Sequence, residues 1–227
     1  MPRKSRVGVC VYCGTRAVVT SDHVPPKCLF PPDTRVNLIT VDACAVCHDS
    51  YKLDDEYFRV TLSVRDDQPD GPAAQFLRDQ TRKTLRHPEA GAFRDAIRAA
   101  TIKVQRHSTA GIYLGEATAI RINASRIKRT AERMVRGMYG KFFGSPLPQT
   151  YELTVNLLDL QRDTSALKSP DVQELLALLG QHGKRRTFGQ VLDVWYAKTD
   201  DDAHSSMWVI RLHGAFGFLG FTVPSDA

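Results

Sequence analysis

Two short cysteine pairs constrain this chain more than any other feature. Cys10-Val11-Tyr12-Cys13 and Cys44-Ala45-Val46-Cys47 are matched CxxC knuckles with 30 residues between them. Together they offer four thiolates, the complement of a tetrahedral structural zinc site. In a reducing cytosol such thiols are expected to hold metal rather than pair as disulfides. The gap exceeds the spacer of a simple zinc ribbon, so something is expected to fold inside it. The fifth cysteine, Cys28, lies in that insertion and reads as a small packing residue.

The insertion reads as a hairpin followed by a helix. Val18-Val19-Thr20 form a strand that delivers Asp22 and His23 at its end. Pro25, Pro26, Pro31 and Pro32 then hold a loop, because proline lacks the amide donor that regular structure needs. Residues 36–41 read as the returning strand and include Asn37. Asp42 is a plausible N-cap for a helix over residues 43–58, whose first turns carry Cys44, Cys47 and His48. Neighbouring strand residues face opposite ways, so Asp22 and His23 cannot both be routine members of one core face. Taken singly, each has a bland reading. An Asp-His pair is usually a turn or surface feature, a strand asparagine is usually a ladder or turn residue, and His48 could be an extra knuckle residue or replace a cysteine on zinc.

Taken together, DH, then Asn37, then CxxCH at a helix start resembles the HNH nuclease family, in its zinc-supported branch, over about residues 7–58. The resemblance implies a ββα-metal fold and hydrolysis of phosphodiester bonds in nucleic acid, DNA foremost, leaving 5′-phosphate and 3′-hydroxyl ends. It implies that Asp22 and His48 hold a catalytic divalent ion, that His23 is the general base, and that Asn37 orients His23. Some members carry another histidine one helical turn after His48. Here that position is Lys52, which favours Mg2+ or Mn2+ over a three-histidine transition-metal site. The competing reading is a non-catalytic zinc-containing protein that binds nucleic acid or serves as a scaffold. A third is a nuclease held inactive by its C-terminal half until a partner or ligand arrives.

Charge is unevenly spread. The chain carries a net +6 with a pI near 9.1, which permits nucleic-acid binding without requiring it. From Arg78 to Lys141 there are 15 Lys and Arg against 5 Asp and Glu, whereas residues 49–70 are rich in Asp and Glu. A helix expected over residues 123–143, kinked near Gly137 and Gly140, places Ile127, Ala131, Met134 and Met138 on one face. Arg126, Arg129, Arg133 and Arg136 form a stripe on another, which suits a phosphate backbone or a solvated surface equally. Lys52 has the same two readings.

The fold class expected is α+β in three segments. Residues 1–70 form the zinc-bearing module, residues 71–145 a basic helical segment, and residues 146–227 a small α+β region of unassigned role. The helical segment includes helices over 73–87 and 89–106, joined to the module by a connector over 59–72. The C-terminal region reads as a strand near 151–157, a helix opened by Pro170, and strands over 190–198, 207–213 and 216–223. Its acidic turn, Asp200-Asp201-Asp202 with His204, reads as a solvated hairpin turn. The region could orient substrate, bind a partner or ligand, or sense a signal. The basic N-terminus lacks an apolar stretch, and the longest aliphatic run, Leu175 to Leu179, is too short for a bilayer, so a cytoplasmic location is expected.

Overall fold

The chain folds as a mixed α+β protein. The computed structural model describes residues 5–35, 37–65, 70–108, 110–159, 168–214 and 216–225. In chain order these form β1 (Arg6–Val9), β2 (Arg16–Val24), β3 (Ile39–Cys44), α1 (Ala45–Ser50), α2 (Lys52–Ser63), α3 (Pro72–Arg86), α4 (Gly91–Ala99), β4 (Thr101–His107), β5 (Tyr113–Ile120), α5 (Ala124–Phe143), β6 (Tyr151–Asp159), α6 (Pro170–His182), β7 (Lys184–Phe188), β8 (Leu192–Lys198), β9 (Ser206–Leu212) and β10 (Phe216–Pro224). Strands β1-β2-β3 make one antiparallel sheet and β6-β10-β9-β8-β7 another, while β4 and β5 pair only with each other. Among the described residues, no helix is long and apolar enough to cross a membrane.

Helix α5 is the spine. Asn123 caps it by accepting a hydrogen bond from the Arg126 amide at 3.2 Å, and Gly144 closes it in the left-handed region with φ 83°. It packs against β2 and β3 on one side and β6 and β10 on the other. Ile127, Ala131, Met134 and Met138 are all fully buried, as their spacing suggests. The expected kink is absent, since the helix is continuous through Gly137 and Gly140. These glycines are notches. A Cβ at Gly137 would stand 2.6 Å from Val24, and one at Gly140 would run into Val11. Small residues there let the helix lie directly on β2 and on the first cysteine knuckle.

The C-terminal sheet backs the spine. Strands β8 and β9 alternate buried and half-buried residues, with Val194, Tyr196, Trp208 and Ile210 turned inward. Phe142 of α5 stacks on Tyr196 at 4.6 Å, and Phe58 of α2 meets Phe216 and Phe218 at 5.9 and 5.8 Å. One hydrophobic cluster therefore includes Val24, Phe58, Leu77, Met134, Phe188 and Trp208. Residues from all three expected segments, 1–70, 71–145 and 146–227, contribute to that cluster.

Several boundaries differ from expectation for identifiable reasons. The returning strand begins at Ile39 and not within 36–38, and Val36 lies outside the described residues. The helix after the second knuckle is two helices meeting at Tyr51, and the second continues to Ser63, into the expected connector. Residues 66–69 of that connector also lie outside the described residues. The helix expected over 89–106 stops at Ala99. Beyond it Thr101, Ile102 and Val104 change to strand alternation and pair with β5. Strand β7 was not expected, because Lys184, Arg185 and Arg186 hide an edge strand whose side chains are mostly exposed.

Candidate functional site

The four knuckle sulfurs converge. The Sγ atoms of Cys10, Cys13, Cys44 and Cys47 all lie within 4.8 Å of one another, and Cys13 and Cys44 are 4.0 Å apart. Sulfurs ~2.3 Å from one tetrahedral ion would be roughly 3.8 Å apart, so the cluster could hold a metal ion such as zinc. The Cys13 thiol is lowered to about 7: burial opposes ionisation, but hydrogen bonds from Thr15 outweigh it. The first knuckle is a turn held by the Gly14 amide donating to the Cys10 carbonyl at 2.8 Å. The second straddles the end of β3 and the start of α1, and the Val11 amide of the first donates to the Asp42 carbonyl of β3 at 2.9 Å, which sets the two side by side.

Beside this cluster lies a cleft of about 610 Å³ lined by Asp22, His23, Lys27, Cys28, His48, Lys52, Asp55, Glu56, Arg59 and Arg133, with Pro26. The end of β2 supplies Asp22 and His23, and α1 supplies His48, one residue beyond the knuckle. Asp22 is 5% exposed. Its Oδ2 accepts hydrogen bonds from the Tyr12 hydroxyl at 2.8 Å and from Arg133 Nη2 at 2.6 Å. Its Oδ1 stands 3.9 Å from His48 Nε2. Tyr12 is itself a knuckle residue, so the cysteine cluster and the cleft are joined through one side chain.

Three of the four residues expected around one pocket are therefore together, and Asn37 is not. It lies in an exposed turn with φ 62°, a conformation asparagine tolerates better than most side chains, and it is outside the lining of the cleft. The residue paired with His23 across the hairpin is Thr40. The two prolines at 31 and 32 and a 3-10 turn over Pro32–Thr34 delay the strand, which leaves Asn37 in the loop.

The arginine stripe is also reassigned. Arg126 Nε donates to Asp54 Oδ1 at 2.6 Å and Arg129 Nε to Asp54 Oδ2 at 2.8 Å. Arg133 Nη1 donates to both Asp55 oxygens at 2.6 and 2.5 Å, and its Nη2 to Asp22. These three guanidinium groups bind the acidic face of α2 and the end of β2, with the Arg129 side chain still about half exposed. Arg136, the fourth, is half-buried. Complementary charge was visible in the sequence, acidic over 49–70 and basic over 78–141, but nothing local says that the two runs meet. Lys52 pairs with Asp49 at 2.6 Å on the exposed rim.

The electrostatics of the cleft follow from burial. Asp55 is pushed up to about 6 by burial, against the pull of Arg133. Burial opposes the charge on Arg133, but the Asp55 and Asp22 carboxylates hold its proton more firmly, so it remains a cation. Burial also raises the Tyr12 hydroxyl, which stays a donor to Asp22. The Cys28 thiol is pushed up to about 12 by burial, then by the Asp55 carboxylate, which leaves it an unreactive lining group. Sequence reasoning missed Lys27, Asp55, Arg59 and the part played by Tyr12. The position of Tyr12 inside a knuckle was the one available signal.

The acidic turn near the C-terminus is more built than expected. Asp202 accepts from the Tyr151 hydroxyl at 2.6 Å and the Ser205 hydroxyl at 2.8 Å, and Tyr139 and His204 Nδ1 are 2.7 Å apart. The network ties β6 and the β8–β9 turn to α5. No family model, curated protein or solved structure matches the chain.

Proposed function

We propose that the protein is a metal-dependent endonuclease of the HNH type, acting on DNA foremost. The reading rests on one observation: Asp22, His23 and His48 line a single cleft beside a four-cysteine cluster. The four cysteines hold structural zinc, which locks the base of the hairpin to α1.

The 3.9 Å between Asp22 Oδ1 and His48 Nε2 is wider than the ~3.0 Å of adjacent ligands ~2.1 Å from one octahedral ion, so the pair would close by about 1 Å on binding Mg2+ or Mn2+. Two protein ligands suit a cation whose remaining positions are filled by water and a substrate phosphate. When bound there, such an ion supplies electrostatic stabilisation of charge developing on the scissile phosphate and the leaving oxygen. His23 takes the proton of the attacking water. Asp22 and His48 stay fixed during the reaction, Asp22 by Tyr12 and Arg133 and His48 by the helix that starts at the knuckle. Asn37 has no place in this scheme, and His23 enters the cleft from the end of β2. Lys27 and Lys52 at the rim provide cations for flanking phosphates.

The test is cleavage of plasmid DNA and RNA by the full chain with Mg2+ or Mn2+, followed by sequencing of the ends. Cutting that leaves 5′-phosphates and disappears in His23→Ala, with the fold retained, supports the reading, and full activity in that variant removes His23 from the mechanism.

A non-catalytic zinc-containing nucleic-acid-binding protein or scaffold is the second reading. It is favoured by the ion pair that already occupies one oxygen of Asp22, and by the four cysteines being the only group of three or more ligands among the described residues. Salt-dependent binding without cleavage under any divalent ion would select it.

A further inference from the structure

Arg133 enters the cleft from α5, 111 residues after the carboxylate it grips. Its side chain is 4% exposed, and its guanidinium lies 5.6 Å from the Tyr12 ring and 5.2 Å from the Tyr51 ring. One terminal nitrogen holds Asp22 and the other holds Asp55, while Nε, buried, has no hydrogen-bond partner. Gly137 and Gly140 lie one and two helical turns further along the same side of α5, where they rest on Val24 and Val11. The close approach that these glycines allow brings the Arg133 guanidinium to Asp22 near the end of β2.

The geometry at Asp22 is one-sided. Tyr12 and Arg133 both donate to Oδ2, while Oδ1 faces His48. A buried ion pair of this kind contributes little net stability compared with apolar side chains of the same size, but it holds a carboxylate in one orientation. A lysine has a single point charge and could not fork between two carboxylates in the same way.

We propose that Arg133 is a positioning residue. By holding Asp22 through Oδ2 it presents Oδ1 to the cleft and to His48, so that residues 71–145 complete a cation site which residues 1–70 lack alone. The inference rests on the metal-dependent reading of the cleft given above.

The experiment uses the full, zinc-loaded chain and reads Mn2+ binding by electron paramagnetic resonance alongside cleavage against Mn2+ concentration. The variants are Asp22→Asn as reference, Arg133→Lys, and Arg133→Met combined with Asp55→Asn, which removes one buried charge of each sign. Expected is Mn2+ binding that depends on Asp22 and weakens about tenfold or more in the double variant, the loss typical when a ligand's supporting partner is removed. Arg133→Lys should fall between it and the wild type, with zinc content unchanged in both. If the double variant does not fold, Arg133→Lys alone decides. A lower melting temperature with unchanged Mn2+ affinity overturns the proposal, as does Mn2+ binding indifferent to Asp22→Asn. A wild type that binds Mn2+ through Asp22 and Arg133 but cuts nothing would sink the nuclease reading and leave the positioning role standing. Cleavage with the same Mn2+ dependence in every Arg133 variant would do the reverse.

Discussion

In the five-stranded sheet, carboxylates are satisfied by groups from their own neighbourhood. Asp193 accepts from Arg185 and Thr187 on one oxygen and from Arg211 on the other, and Asp202 is enclosed by Tyr151, Ser205 and the His204 amide. At the end of the three-stranded sheet the pattern differs. Asp22 is held on one oxygen only, by Tyr12 and by Arg133 from α5, and its other oxygen faces a histidine across a cleft. A closed network is structural, because both carboxylate oxygens already have donors. A half-closed one leaves room for a cation and substrate. The C-terminal sheet reads accordingly as support for α5, and the N-terminal sheet as the place where chemistry is possible.

The comparison breaks most readily at the metal. Chelation of zinc should abolish cleavage and remove hydrogen-exchange protection from β1, β2, β3 and α1, with the five-stranded sheet affected later. A protein that stays folded there without tightly bound zinc would contradict the assignment. Next comes a pair of substitutions, one in each network. His23→Ala should lower cleavage by roughly 10²–10⁴-fold with little change in melting temperature, the usual contribution of a general base. Asp202→Asn should lower the melting temperature and leave turnover unchanged. Its carboxyl is held down to about 2 chiefly by the Tyr151 hydroxyl, so its share of stability is full above the ordinary carboxylate range and lost only as pH falls through 2.

A third effect tests the joint between the two regions. His213, in the β9–β10 turn with φ 48°, is buried, and its ring engages the backbone of Leu29 in the cleft-bearing module. Burial lowers it from 6.5 to about 4. A histidine buried neutral binds fewer protons folded than unfolded between those values, so stability is full above pH 6.5 and is lost as pH falls toward 4. The loss is roughly 3 kcal/mol, because each tenfold weakening of proton binding corresponds to about 1.4 kcal/mol. Denaturant titrations at pH 7 and pH 4.5 measure it, and His213→Asn, which suits the left-handed backbone, should flatten the difference. The smallest effect is Gly137→Ala, expected to destabilise by about 1–3 kcal/mol by overpacking against Val24, although alanine is the better helix former. A stabilised variant would mean that α5 does not need to lie so close.

What was legible in the sequence was local. The knuckles carry their own spacing, the Asp22-His23 pair stands at a strand end, His48 follows a helix-starting cysteine, and α5 shows its buried face in Ile127, Ala131, Met134 and Met138. What was not legible depends on partners distant in the chain. A stripe at 126, 129 and 133 has one appearance whether it faces water, phosphate or Asp54 and Asp55, since only tertiary structure chooses. Gly137 and Gly140 suggest a kink when read as helix breakers and prove to be points of close approach. Asn37 fitted a strand by composition, but the prolines before it shift the strand start to Ile39. The β4–β5 hairpin was hidden because Val104 happened to continue the helical spacing of Ala92, Ala96 and Ala100.

Crystals grown with zinc and soaked in Mn2+, with anomalous maps recorded above and below the manganese edge, would locate both ions directly. Two peaks are expected, one enclosed by the four cysteine sulfurs and a second, manganese-specific, within bonding distance of Asp22 Oδ1 and His48 Nε2. A single peak at the cysteines, with Arg133 still on Asp22 and no manganese in the cleft at saturating concentration, would contradict the central claim.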